Sequence, residues 1–115
     1  MKTVKVILSE EASKVFKYLN EQSSKSNTEK TILKSINYKI ELIKNNFHYG
    51  QPISKNKIPQ KYIEKYDIDK LFWVSLPNYW RMLYTLKDGE NKIEIIAFII
   101  DIINHKEYDK IFGYK

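Results

Sequence analysis

Apolar and polar positions recur with two different periods along this chain, and each period predicts a different kind of element. At the start, "TVKVILS" alternates through apolar Val4, Val6 and Leu8, which indicates a strand with one face toward a core. Ser9 then offers a helix N-cap ahead of two glutamates, and apolar residues follow at helical spacing through Leu19. The first two elements are therefore predicted to be a strand and an amphipathic helix.

A second helix is predicted from the spacing of isoleucines in the next stretch. Ser26 followed by Glu29 has the form of a capping box, which favours a helix start. The apolar positions along one side of this helix are Ile32, Ile36, Ile40, Ile43 and Phe47. Gly50 favours a left-handed helix end, and the prolines after it prevent continuation. A basic loop follows, in which Pro59 can start a short helical turn through Lys65.

From Leu71 the period changes to two, which predicts three consecutive strands. The segments "LFWVSL", "WRMLYTL" and "KIEIIAFIID" are separated by the turn-forming pairs Pro77-Asn78 and Asp88-Gly89, so an antiparallel meander is expected. The last strand is apolar on both faces, which predicts an interior position with both faces covered. The first strand is expected at the sheet edge, beside either the last strand or the strand that ends near Leu76.

These elements predict an α+β fold in a single domain of residues 1–115. An N-terminal strand and two antiparallel helices would pack on one face of a twisted, mainly antiparallel sheet. A chain of 115 residues and 13.8 kDa has room for one such core. The absence of cysteine excludes disulfides, thiolate catalysis and cysteine-type zinc sites. No apolar stretch is long enough to span a bilayer and no signal-peptide core develops, so we expect a soluble, cytoplasmic protein without a membrane role.

Charge favours a polyanionic partner. The net charge is +6, and the 20 lysines and arginines include a single arginine, Arg81. RNA, DNA, an anionic membrane surface or an acidic protein segment would each suit this balance. The alternative is that the positive charge has no binding role and follows from base composition, because an AT-rich genome favours lysine, isoleucine and asparagine.

Strand parity makes Arg81 a candidate for anion binding. Met82 and Tyr84 are expected beneath the helices, which puts Arg81 on the other, uncovered face of the sheet. A guanidinium there can bind phosphate through two parallel hydrogen bonds, although a surface ion pair with Glu94 is the simpler interpretation.

Two further candidates lie in the closing segment "NHKEYDKIFGYK". His105 can act as a general acid or base or can cap a helix, and Tyr108 falls on the same side of a helical turn. Phe112 is expected to pack into the core, and Tyr114 is ambiguous between packing and the site. No metal or cofactor site is predicted, because His48 is isolated and no glycine-rich phosphate loop or serine nucleophile motif is present.

The run "YWRMLYTL", followed by a turn, an apolar strand and "NHKEYDKI", resembles the toxin superfamily of RelE, ParE and HigB. The HigB branch looks most similar, through His105, Tyr108 and Asp109. The resemblance implies a ribosome-associated endoribonuclease that cuts messenger RNA without metal and is inhibited by an acidic antitoxin protein. Arg81 would then neutralise the phosphate, and His105 or Tyr108 would serve as acid or base.

The resemblance also implies contacts to the RNA backbone, and here the chain departs from the pattern. RelE carries two lysines on the strand before its arginine, where this chain has Trp73 and Ser75. Lys70 can substitute for them, or Trp73 can stack on a base. The lysines expected at the RNA are Lys55, Lys57, Lys61, Lys70 and Lys106. Two alternatives stay open: a ParE-like inhibitor of DNA gyrase that acts by binding, and an inactive binding protein on the same scaffold.

Overall fold

Residues 3–113 are described by the structure, a computed structural model of the chain, and they form five strands and four helices. In chain order these are β1 (Thr3–Leu8), α1 (Glu10–Gln22), α2 (Asn27–Asn45), β2 (Gln51–Pro52), α3 (Gln60–Tyr66), β3 (Phe72–Ser75), β4 (Arg81–Asp88), β5 (Glu94–Ile103) and α4 (His105–Phe112). Short turns at Lys55–Lys57 and Pro77–Tyr79 precede α3 and β4. Tyr114 lies outside the described residues.

The strands form one mixed sheet in the order β1-β5-β4-β3-β2. β3, β4 and β5 make the predicted antiparallel meander, and the two-residue strand β2 adds to the outer edge of β3. β1 pairs with β5 in parallel at the opposite edge, which is one of the two positions expected for it. The predicted α+β class is therefore confirmed, and β5 lies in the interior of the sheet as its apolar character requires.

The helices α1 and α2 cover one face of the sheet. Met82 and Tyr84 of β4 are fully buried there, in one cluster with Ile36 and Ile43 of α2. The alternation along β4 predicted this orientation, and Arg81 accordingly points to the other face. The remaining buried members of this cluster are Ala12, Leu19, Ile32, Phe72, Val74, Leu76, Ala97, Ile99 and Ile102.

The second face of the sheet is also covered, as the apolar character of both faces of β5 predicted, whereas strand parity along β4 had suggested that the face carrying Arg81 is open. Leu83, the neighbour of Met82 on β4, has no exposed surface because residues of α3, α4 and the loop before β3 pack over it. The buried residues of this second layer are Ile58, Tyr62, Ile68, Leu71, Leu83, Ile100, Ile103 and Tyr108. The end of β4 that carries Arg81 borders an open pocket on this side.

The predicted helix starts are correct, although only one of the two predicted caps forms. The Ser9 hydroxyl accepts a hydrogen bond from the Ala12 N–H at 3.0 Å, as an N-cap should. At the start of α2, the Ser26 hydroxyl instead donates to the Glu29 carboxylate at 2.6 Å and caps no backbone N–H. No helix between residues 3 and 113 is both long and apolar enough to cross a membrane.

Gly50 has a different role from the predicted left-handed helix end. Its backbone is not left-handed, since Gly113 alone among the described glycines has a positive φ. A Cβ atom at Gly50 would lie 2.7 Å from Cε1 of Tyr84, which is closer than side chains tolerate. The Gly50 N–H donates to the Tyr84 hydroxyl at 2.8 Å, so glycine is needed because the backbone approaches this buried ring.

Candidate functional site

One open pocket brings together the three residues predicted to carry chemistry. It is lined by Trp73, Tyr79, Arg81, His105, Tyr108 and Asp109. These residues come from β3, the turn after it, β4 and α4. We call this group the Arg81 pocket.

Strand pairing explains why residues distant in sequence meet here. Arg81 is the first residue of β4 and lies opposite Ile103, the last residue of β5. Helix α4 starts directly after β5, with the Asn104 side chain accepting a hydrogen bond from the Glu107 N–H at 2.9 Å. The chain therefore turns sharply at Asn104, and His105 begins a helix beside the arginine.

Two aromatic rings hold the Arg81 guanidinium. Its Cζ atom lies 4.1 Å from the ring centroid of Trp73 and 4.6 Å from that of Tyr108. The Tyr108 ring stacks in turn on Phe112, with centroids 4.4 Å apart. Cation–π contacts with both rings restrict the guanidinium while its N–H groups can still meet a ligand. The closing helix is thus both a packed element and one wall of the pocket.

The ion pair considered between Arg81 and Glu94 is absent. Glu94 lies at the opposite end of β5, where its carboxylate accepts a hydrogen bond from the Glu90 N–H at 3.1 Å. Within residues 3–113, no carboxylate is close enough to Arg81 to form an ion pair, and the ion pairs that do form all lie on α1 and α2. The positive charge of Arg81 is therefore available to an anion from outside the chain.

None of the lysines expected at the RNA lines the Arg81 pocket. Lys55 and Lys57 lie in the turn before α3, and Lys106 is exposed on α4. Lys70 is near the other end of β4, because the Thr85 hydroxyl donates to its carbonyl at 2.8 Å. Thr85 is four residues from Arg81 along the strand, a separation of about 13 Å at the usual rise. Lys70 is therefore poorly placed to replace the strand lysines of RelE.

Lys61 lines a second cleft, which lies beside β5. β1 ends opposite Ile99, and the cleft is next to the part of β5 that follows this residue. Residues of α1, α3 and α4 surround this cleft, and the Asp101 carboxylate forms part of its lining. A β-bulge in the β4–β5 pairing places Asp101 opposite Leu83, where the Tyr62 hydroxyl donates to the carboxylate at 2.9 Å. Burial raises the pKa of Asp101 and of Tyr62, and the neighbouring Asp101 charge raises that of Tyr62 further.

Tyr79 and Asp109 complete the Arg81 pocket and were not predicted as site residues. The Tyr79 ring centroid lies 6.0 Å from that of His105, in an edge-on arrangement. Asp109 follows Tyr108 on α4 and is partly exposed. The turn signal at Pro77-Asn78 marked the place of Tyr79, but nothing in the local sequence indicates which strand end or helix such a turn will approach.

No group of three or more metal-ligating side chains occurs in the described part of the chain. His48, the only other histidine, packs between Phe47 and Phe72 with ring centroids 4.5 and 6.0 Å away. His48 is otherwise exposed, so these two ring contacts lie at the protein surface after α2.

The chain was compared with protein-family models, with curated proteins and with solved structures. No family model matches it, and neither the curated proteins nor the solved structures contain a match. The geometry of the Arg81 pocket and the resemblance of the two sequence motifs thus carry the functional argument.

Proposed function

We propose that this protein is the toxin of a type II toxin-antitoxin system and a RelE-like endoribonuclease that cleaves messenger RNA on the ribosome, in the cytoplasm. The observation that supports this most is the convergence of Arg81, His105 and Tyr108 on one open pocket. These are the three residues that the resemblance to RelE and HigB singled out. They come from two separate segments of the chain, and no local constraint obliges them to meet.

The proposed reaction is transfer of the phosphate within the RNA strand. The ribose 2′-oxygen forms a bond to phosphorus, and the bond from phosphorus to the 5′-oxygen of the next nucleotide breaks. A base takes the 2′ proton and an acid donates a proton to the leaving 5′-oxygen, which yields a cyclic phosphate and a 5′-hydroxyl. The protein needs to orient the strand, move two protons and stabilise the charge of the five-coordinate phosphorus.

Arg81 is the proposed stabiliser of that charge. The rings of Trp73 and Tyr108 limit its movement, and preorganised cations stabilise a transition state without reorganisation during the reaction. His105 is exposed at the pocket and is the better placed proton carrier, since the Tyr108 ring is buried against Arg81 and Phe112. The Tyr108 hydroxyl is the second candidate for a proton-transfer role.

An acidic antitoxin is the proposed protein partner. A net charge of +6 favours association with an acidic segment, through steering and complementarity. Helices α3 and α4 cover the second face of the sheet, so the open Arg81 pocket is the better place for this segment to bind. Co-expression with the product of the adjacent gene should give a stable complex that salt weakens. A protein that ignores this neighbour at low salt would contradict the partnership.

Messenger RNA cleavage on translating ribosomes tests the nuclease proposal directly. Arg81→Ala should lower the cleavage rate by about a hundredfold or more, and His105→Ala and Tyr108→Phe should abolish cleavage while the protein stays folded. Lys34→Ala is the matched control, because it removes one exposed positive charge from α2, on the opposite layer. Full activity of both His105→Ala and Tyr108→Phe would refute the assignment. Growth arrest without RNA cleavage would favour inhibition by binding instead.

A further inference from the structure

Tyr79 occupies a strained position in the turn between β3 and β4. The Trp80 N–H donates to the Pro77 carbonyl at 3.3 Å, which closes a turn around Asn78 and Tyr79. Both central residues are left-handed, with φ of 59° for Asn78 and 63° for Tyr79. Turns of this mirror-image type favour asparagine followed by glycine, because a side chain at the second position is strained. A tyrosine there is unfavourable for the backbone.

The Tyr79 side chain contributes little to the packing of the folded protein. It is 80% exposed, the highest value among the large hydrophobic residues that the structure leaves in solvent. Its hydroxyl forms no hydrogen bond within residues 3–113. Its one ring contact with the described residues is the edge-on approach to His105. Strained residues cluster at functional sites, so the strain at Tyr79, which packing does not offset, points to a functional role for this side chain.

The other aromatic rings of the Arg81 pocket are already engaged. The Arg81 guanidinium lies over the Trp73 ring, and Tyr108 is packed against Arg81 and Phe112. Trp73 was the residue expected from the sequence to stack on a base, but its ring serves to hold the arginine. Tyr79 is the ring of this pocket that stays open to solvent, beside His105 and within the same wall as Arg81.

We propose that Tyr79 is a stacking platform for an unpaired nucleobase of the RNA strand whose phosphate Arg81 binds. This inference rests on the proposed function and adds the residue that recognises the base. Aromatic rings bind single-stranded nucleic acid by stacking on base faces, with little dependence on sequence. The turn holds the tyrosine at the rim of the pocket, so that a base can stack on it while the adjoining phosphate meets the guanidinium.

The test measures binding of a labelled single-stranded oligonucleotide with 2′-O-methyl riboses, which lacks the attacking hydroxyl and stays intact. Tyr79→Gly should weaken binding about tenfold or more, as the loss of one stacked base does. Its melting temperature should be at or above that of the wild type, because glycine relieves the strain. Tyr79→Phe should bind within about twofold of the wild type, since the ring and not the hydroxyl is used. Tyr38→Ala, which removes another exposed tyrosine from α2, is the control and should bind normally.

An abasic strand of the same length separates base stacking from backbone contact. Wild-type protein and Tyr79→Gly should bind this strand equally, and a tenfold difference on it would overturn the stacking role. Binding of the 2′-O-methyl strand that is unchanged by Tyr79→Gly but weakened by Arg81→Ala would overturn the role of Tyr79 and leave the proposed function intact. Failure of the wild type to bind either strand, together with intact messenger RNA on ribosomes, would defeat both proposals.

Discussion

The hydroxyl of Tyr84 ties the segment after α2 to the middle of the sheet, and its removal gives a clear test of the fold. Tyr84 has no exposed surface, and its ring stacks on Phe72 with centroids 5.2 Å apart. The hydroxyl accepts a hydrogen bond from the Gly50 N–H at 2.8 Å and donates one to the Phe47 carbonyl at 2.9 Å. Tyr84→Phe removes one oxygen atom and leaves the ring and its stacking in place.

The cost follows from the two backbone groups that lose their partner. A buried polar group left without a hydrogen bond costs about 1–3 kcal/mol. Gly50 is buried, so its N–H should bear most of this cost, whereas Phe47 is partly exposed and its carbonyl can reach water. We therefore expect Tyr84→Phe to lower the free energy of unfolding by about 3 kcal/mol. For a domain of this size that is a fall of roughly 10 °C in melting temperature.

Thermal and urea unfolding followed by circular dichroism measure this loss. Tyr49→Phe is the matched control, because its hydroxyl pairs with the Lys39 ammonium at 3.1 Å on a partly exposed site. Deleting that hydroxyl should change the unfolding free energy by less than about 0.5 kcal/mol. Equal stabilities of the two variants would refute the argument, since they would mean that the Gly50 N–H finds another partner.

Three further predictions concern the second cleft, the closing helix and the strand beside Arg81. Burial raises the pKa of Asp101 above its ordinary 3.8, so its contribution to stability is present below that pH and is lost as pH rises through the folded-state pKa. The difference in unfolding free energy between Asp101→Asn and the wild type should therefore shift in favour of the variant as the pH rises from acid to neutral. A difference that stays constant over this pH range would contradict the prediction. Phe112 is only partly buried, so Phe112→Ala should lower the free energy of unfolding in urea by about 1–2 kcal/mol, less than the roughly 3 kcal/mol expected for a fully buried ring. An unchanged unfolding free energy would mean that the ring does not anchor α4. Ser75 is exposed and lies opposite Arg81 in the β3–β4 pairing, so Ser75→Lys should add a cation beside the arginine. The slope of log binding constant against log salt concentration for RNA should then steepen by about 0.7, and an unchanged slope would mean that the RNA does not bind beside Ser75.

Much of the secondary structure could be predicted because it depends on local patterns. Alternation in "WRMLYTL" gave the direction of every side chain on β4, and the structure has Met82 beneath the helices with Arg81 on the other side. The start of α1 at Ser9 and the short helix after Pro59 follow from single residues that fix or cap the backbone. The predicted capping bond of Ser26 does not form, because its hydroxyl donates to the Glu29 carboxylate and does not accept from a backbone N–H.

The sequence by itself determined which residues share a strand face and that His105 and Tyr108 lie one helical turn apart, because these relations act over a few residues. Tertiary structure decided the rest of the candidate site. The pairing of Arg81 with Ile103 brings α4 to the arginine, and the packing of α4 places the Tyr108 ring against the guanidinium that also contacts Trp73. Tertiary structure also places the predicted lysines outside the Arg81 pocket. The position of a lysine depends on where its whole helix, strand or loop packs, and sequence periodicity does not predict that packing.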